Sequence, residues 1–181
     1  SAHTTENMKA KLQHIRAESL EDTFVFGPLP QGSVIIPCFN GAEHLSQAIQ
    51  SGLDQTYPNV EIVVVDDGST DDSASLAEEF GERIKLVRQP NSGLSAARNA
   101  GIRCAAGEFI VLLDADDVLL PGCVELRLAP ALADGEVGLV AGYYREIDER
   151  GAVLTRVPEV RRLFEFLEFN TLFDRLAARD R

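Results

Sequence analysis

Apolar positions along this chain change period repeatedly between residues 33 and 145. Val34-Ile35-Ile36 is a short β-rich run closed by Pro37. Glu43 to Asp54 then carries Leu45, Ala48, Ile49 and Leu53 on one helical face. Tyr57-Pro58-Asn59 predicts a turn, and Val60 to Val65 predicts a strand buried on both sides. The alternation continues with a helix over Ser73–Phe80, a strand over Ile84–Val87 and an alanine-rich helix over Ser95–Ala105. Phe109–Leu113 predicts another buried strand, Pro121 opens a helix running to about Leu132, and Val137–Tyr144 predicts a last strand. Solid apolar strands alternating with amphipathic helices imply an α/β fold: a Rossmann-like, mainly parallel sheet with helices on both faces.

The flanks have a different texture. Residues 1–30 form a polar extension, partly helical, with Met8, Leu12 and Ile15 at helical spacing. The alternating region spans 31–155. Beyond Pro158, Leu163, Phe164, Phe166, Leu167, Phe169, Leu172, Phe173 and Leu176 crowd into one arginine-rich stretch, which predicts an amphipathic C-terminal helix over 156–181. Such a helix packs on a core or meets a membrane surface or a partner.

The net charge of −12 repels phosphate backbones and argues against broad nucleic-acid binding. It does not forbid a nucleotide, because one metal ion offsets phosphate charge locally. Cys38, Cys104 and Cys123 are far apart and form no zinc spacing, so they are expected as three buried thiols of a reducing compartment. No secretory leader and no apolar run long enough to span a bilayer is found. The expected location is the cytoplasm, with a peripheral contact at the inner face of the membrane compatible with the apolar tail.

In an open parallel sheet, ligands bind beyond the carboxyl ends of the strands. Those positions carry unusual residues here: Pro37-Cys38-Phe39-Asn40, then Asp66-Asp67-Gly68-Ser69-Thr70-Asp71, then Asp114-Ala115-Asp116-Asp117. Clustered carboxylates repel one another unless a cation or proton relieves them, and a hard divalent ion with oxygen ligands is the economical explanation. Asp67 and Ser69 also suit a turn leading into a helix. Phe39 suits either the core or stacking on a base. Arg98 falls in the first turns of the helix after Asn91-Ser92-Gly93, where it can meet a diphosphate, fix a carboxylate or make a plain surface ion pair. No glycine-rich phosphate loop of the dinucleotide or P-loop type is present.

These blocks, in this order, resemble the family 2 glycosyltransferases of the GT-A fold. The resemblance runs from Val34–Asn40 through Gln55–Asp71 and Asn91–Asn99 to Gly107–Asp117, and covers roughly residues 33 to 145. It implies a nucleoside diphosphate sugar donor, with UDP the expected nucleotide, and Mg or Mn as cofactor. It implies that Pro37, Phe39 and Asn40 line the nucleoside pocket and that Asp66 hydrogen-bonds the base. Arg98 would lie near the donor. Asp114-Ala115-Asp116 looks like the family's DXD motif, with Asp116 and Asp114 as the implied metal residues, Asp114 also facing the ribose or sugar side and Asp117 assisting.

The implied reaction is inverting transfer to a hydroxyl acceptor of carbohydrate, lipid-linked or protein type. The family's catalytic base lies downstream of the DXD motif, and no convincing base motif is found after the expected hairpin turn Asp148-Glu149-Arg150-Gly151. Glu159, Glu165 and Glu168 read as the polar face of the tail helix. The remainder of the transferase domain is therefore expected to lie outside this chain. The alternative is a donor-binding fragment or scaffold without catalysis.

Two other readings compete. A phospho-receiver domain would use Asp66, Asp67 and Asp114, but no lysine follows Lys85 to meet the phosphoryl group. An EF-hand would use Asp114, Asp116 and Glu125, but Val118 and Leu119 replace a ligand and the loop glycine.

Overall fold

The computed structural model of the chain describes residues 29–133, 136–142, 147, 148 and 152. The chain divides into two units, Ser1–Asp134 and Gly135–Arg181, and the alternating elements all belong to the first. Their order is β1 (Gly32–Cys38), α1 (Leu45–Leu53), β2 (Val60–Asp66), α2 (Ser73–Glu78), a 3₁₀ turn (Gly81–Arg83), β3 (Lys85–Arg88), α3 (Leu94–Cys104), β4 (Phe109–Leu112) and α4 (Cys123–Ala133). The expected extension over 1–30 lies outside the described residues apart from Leu29 and Pro30, and the expected tail helix lies wholly outside them.

The four strands form one parallel sheet in the order β3-β2-β1-β4. The chain moves outward from β1 through β2 to β3, then returns to the other side of β1. All seven β1 residues are buried, as befits a central strand. Successive side chains of a strand face opposite sides of the sheet, and the core divides accordingly. Val34, Ile36, Ile62, Val64, Val111 and Leu113 face Leu45, Ala48 and Ile49 of α1, Ala77 of α2, and Val124 and Leu128 of α4. Ile35, Val63 and Val65 face Ala97 and Ala100 of α3. Each fully buried valine or isoleucine contributes about 1.5–3 kcal/mol relative to exposure, so both faces are anchored. The small residues of α3 let its backbone approach closely: a Cβ on Gly101 would overlap Ile35 Cγ2, well inside contact distance, and lie 3.1 Å from Val65 Cγ2.

Three expectations change. β4 is half-buried rather than buried, with Ile110 38% and Leu112 49% exposed, because it is the edge strand of the described sheet. Residues 137–142 of the expected last strand have no ladder partner and are not a strand, while 143–144 lie outside the described residues. Only Cys38 of the three free cysteines is buried, since Cys104 and Cys123 fall at helix ends. Glu149, Arg150 and Gly151 of the expected hairpin turn lie outside the described residues; on either side of them Asp148 N donates to Ala152 O at 2.9 Å, and Ala152 N to Asp148 Oδ1 at 2.8 Å. Among the described residues no helix is long and apolar enough to cross a membrane.

Candidate functional site at the carboxyl ends of β1 and β4

Because β2 and β4 leave from opposite sides of β1, the strand order reverses between β1 and β4, and this is where an open sheet presents a ligand crevice. The β1–β4 ladder runs as far as Ile35↔Leu112, and Leu113 N donates to Ile35 O at 3.0 Å. Backbone groups alternate sides along a strand, so the next β1 residue turned toward β4 is Pro37. It has no N–H to offer, which suits the point at which the two strands part. Beyond it, a Cβ on Gly41 would lie 3.5 Å from Ala115 Cβ, so the loop after β1 and the acidic loop after β4 stand side by side.

The first lip of the crevice carries Phe39, which is 50% exposed despite its size. Asn40 follows in the left-handed region at φ 52, which asparagine tolerates better than most residues. Its Oδ1 accepts from Thr70 N at 2.8 Å and Thr70 Oγ1 at 3.2 Å, while its own N–H donates to Ser69 Oγ at 3.0 Å. Asp71 completes the clamp: Oδ2 accepts from Ala42 N at 3.1 Å, and Oδ1 from Ser73 N at 3.0 Å and Ser73 Oγ at 2.5 Å. The Ser73 bonds, ahead of the opposing effect of burial, hold the Asp71 carboxyl below its usual range. The loops after β1 and β2 are thus one hydrogen-bonded unit.

Asp66 ends β2, at the edge of the sheet as expected, and both it and Asp67 are buried. Asp66 Oδ1 accepts from Ser69 N at 3.0 Å and closes the turn. Asp67, 3% exposed, accepts from Gln89 Nε2 at 2.6 Å, Ser92 N at 2.9 Å and Gly93 N at 2.8 Å. Burial pushes this carboxyl up, but the three donors more than offset it and hold it below the ordinary carboxylate range. Gly68 makes the tight turn between them possible, at φ 75 and with Asn91 N only 2.7 Å from where a Cβ would sit. Asp67 thereby anchors the loop that opens α3, a role the sequence pattern alone did not separate from a helix cap.

α3 in turn delivers Arg98 to the other lip. Arg98 Nη2 donates to Asp114 Oδ1 at 2.6 Å, so the first carboxylate of the acidic loop has a cation beside it. Arg98 Nε is buried with no hydrogen-bond partner. Asp116 and Asp117 are exposed and have no such partner among the described residues. Although Asp117 is exposed overall, partial desolvation of its carboxyl by the surrounding loop, then the charges of Asp116 and Asp114, push it above its usual value. The candidates read from sequence all lie at this end of the sheet: Pro37 and Asp66 at the ends of β1 and β2, Phe39 and Asn40 just beyond β1, Asp114 and Asp116 beyond β4, and Arg98 beside Asp114.

The sheet is of the open, parallel α/β type, with an aromatic-bearing loop and an acidic loop at its switch point. The family described as glycosyl transferase family 2 matches residues 33–178, and the chain belongs to it. A glycosyltransferase of Rickettsia felis is 39% identical over 129 residues, covering 69% of this chain and 21% of that protein. Glycosyltransferase GlyG of Streptococcus pneumoniae serotype 4 is 36% identical over 121 residues, covering 65% of this chain and 40% of its own length. The chain thus spans less than half of the curated relatives it matches. Among solved structures, TarS 1–349 of S. aureus is similar, with a TM-score of 0.54 at 28% identity over 58% of this chain and 33% of that one. The same protein in complex with UDP-GlcNAc gives a TM-score of 0.52 at 27% identity, over 58% of this chain and 32% of that one.

Proposed function

We propose that this domain binds a uridine diphosphate sugar with a divalent cation, Mg or Mn, and serves an inverting transfer of the sugar to a hydroxyl acceptor. The observation that carries this reading is the juxtaposition, where β1 and β4 part, of the loop that bears half-exposed Phe39 with the loop that bears Arg98-fixed Asp114, Asp116 and Asp117. The complex of TarS with UDP-GlcNAc supports uridine as the base.

The donor set fits a hard cation. Three carboxylates stand within four residues, one has a cationic partner, and Asp117 is pushed up by partial desolvation and then by the charges of the other two. Among the described residues no group of three His, Cys, Asp or Glu side chains could hold a metal alone. A hard cation such as Mg needs only one or two carboxylates from the protein, since water and phosphate oxygens complete its shell.

In this reading Phe39, beside Pro37 and Asn40, offers its face to the base, with Asp66 the candidate polar contact. Asp114, held by Arg98, faces the ribose or sugar, and Asp116 holds the cation. Breaking the sugar–phosphate bond builds negative charge on the departing diphosphate, which a bound cation neutralises as a Lewis acid. The acceptor hydroxyl passes its proton to a carboxylate base that belongs to the acceptor side of the domain. The free thiols of Cys38, Cys104 and Cys123 suit a reducing compartment, so the reading includes a cytoplasmic location.

Calorimetric titration with UDP, with and without Mn, on the native chain and on Asp116→Ala tests this. Metal-enhanced binding that the variant loses is the expected result. Native protein that ignores UDP in both conditions would overturn it.

A further inference from the structure

The acidic loop is held at both ends, and the second anchor comes from α1. At the start, Leu113 N donates to Ile35 O at 3.0 Å. At the far end, Leu119 N donates to Ser51 Oγ at 3.1 Å, and that hydroxyl, buried in α1, donates to Ala48 O at 2.8 Å. Residues 114–118 are suspended between these bonds, joined internally by Asp117 N donating to Asp114 O at 3.1 Å.

Just past α1, Gln55 locks the return. Its Nε2 donates to Leu120 O at 3.0 Å and to Ser51 O at 2.9 Å, and its Oε1 accepts from Val124 N at 3.0 Å. One amide therefore ties the end of α1, the exit of the acidic loop and the first turn of α4. The 121–122 turn it spans closes tightly, with Cys123 N donating to Leu120 O at 3.0 Å. Thr56 Oγ1 adds a bond to Glu125 Oε2 at 2.9 Å on the same side. Partners 65 and 69 residues away in sequence are unusual for one side chain that lies on neither lip of the crevice.

We propose that Gln55, resting on the donor reading above, is a positioning residue for the metal: it acts through Leu120 and Val124 to hold the backbone that aims Asp116. Asp116 and Asp117 have no side-chain tie of their own among the described residues, so their placement depends on the two ends of the loop. Arg98 secures the entry, and Ser51 with Gln55 secures the exit. Loss of the exit clamp should then cost metal affinity more than nucleotide affinity, because Phe39 sits on the β1 lip, held by Asn40, Asp71 and Ser73.

The test is titration of UDP in the absence of metal, and of Mn at saturating UDP, on the native chain, Gln55→Ala and Gln55→Met. The methionine variant keeps length and packing while removing all three hydrogen bonds, so a folded variant is at hand if alanine collapses the turn. Each is checked by thermal unfolding, and by hydrogen exchange of the Leu119 and Val124 amides. The expected result is metal-free UDP affinity within about twofold of native and Mn affinity lower by about tenfold, the lower end of what losing an outer partner of a metal site costs. Exchange at Val124 should quicken in step. Equal Mn affinity in native and variant proteins would overturn the proposal. So would a parallel loss of both affinities tracking a lowered unfolding temperature, which would make Gln55 a purely structural residue. A native chain that shows no Mn-dependent UDP binding would overturn the donor reading itself, and this inference with it.

Discussion

Arg98 Nη2 lies 2.6 Å from Asp114 Oδ1, while Nε of the same guanidinium is buried without an acceptor. Both side chains are partly exposed, 30% for Arg98 and 44% for Asp114, so solvent screening limits the pair to about 1 kcal/mol or less of folding stability. Its value lies in geometry. Arg98→Ala is predicted to shift the unfolding free energy by less than about 1 kcal/mol yet to weaken UDP binding by roughly tenfold, the cost of a lost charge-assisted bond. Arg98→Lys should recover only part of this, because an ammonium lacks the planar fork. Urea unfolding and titration, run side by side, separate the two effects.

Phe39 gives the opposite contrast to a core aromatic. At 50% exposure it holds little of the fold, so Phe39→Ala should leave the unfolding midpoint nearly unchanged. If its face meets the base, donor affinity should fall by about 1–3 kcal/mol, the usual worth of base–aromatic stacking. Phe39→Tyr should bind as the native chain does. An unaltered UDP isotherm for the alanine variant would remove Phe39 from the site.

Gly101 tests how the arginine is delivered. In a helix, alanine for glycine gains about 1 kcal/mol, but here the new methyl would overlap Ile35 Cγ2 and press on Val65 Cγ2. Overpacking of this kind costs about 1–3 kcal/mol, so the net effect of Gly101→Ala should be destabilising. The strain is relieved by α3 moving off the sheet, and Arg98 moves with it. Thermal unfolding should show the loss, and UDP titration should show weakened binding even though residue 101 lies below the crevice.

A pH effect should appear at the opposite end of the sheet. Burial pushes the Glu61 carboxyl up, but Ser33 Oγ at 2.5 Å, the Ala106 and Gly107 amides, and the charge of Lys85 together bring it below its ordinary value. A depressed carboxyl contributes stability above its unfolded pKa and loses it as pH falls through the folded one. Glu61→Gln should therefore cost about 1 kcal/mol at pH 7, the difference between charged and neutral hydrogen bonds. Its stability should also fall less than that of the native chain on acidification below about pH 4.5. Donor binding at pH 7 should be untouched, since Glu61 lies near the start of β2 and the crevice lies beyond the strand ends.

The fold was legible because features such as the apolar run Ile62–Val65 and the one-sided face of Leu45, Ala48 and Ile49 follow from local periodicity. The strand ends were legible for the same reason: a run of apolar residues that stops at Asp66 or Asp114 marks where the sheet stops. Less legible was what each polar residue does there. Asp66 and Asp67 look alike in sequence, yet one closes its own turn and the other carries the Ser92–Gly93 loop. Gln55 read only as part of a turn-bearing block, since both of its long-range partners are brought to it by the packing of α4. Of the strand expected over Val137–Tyr144, residues 137–142 are not extended into a ladder: an apolar run is a strand only when paired, and pairing is not written in the run itself.

By itself the sequence determined the element types from β1 to α4, the parallel sheet and the family, because these rest on periodicity and on ordered blocks that survive without knowledge of contacts. Tertiary structure decided the strand order β3-β2-β1-β4, and with it which two loops share a crevice. It also decided that Arg98 meets Asp114 across 16 residues of chain and that Asp67 is held by backbone donors 25 and 26 residues away. Hydrogen bonds of such separation depend on how helices seat on the sheet, and no local pattern of hydrophobic and polar residues encodes that.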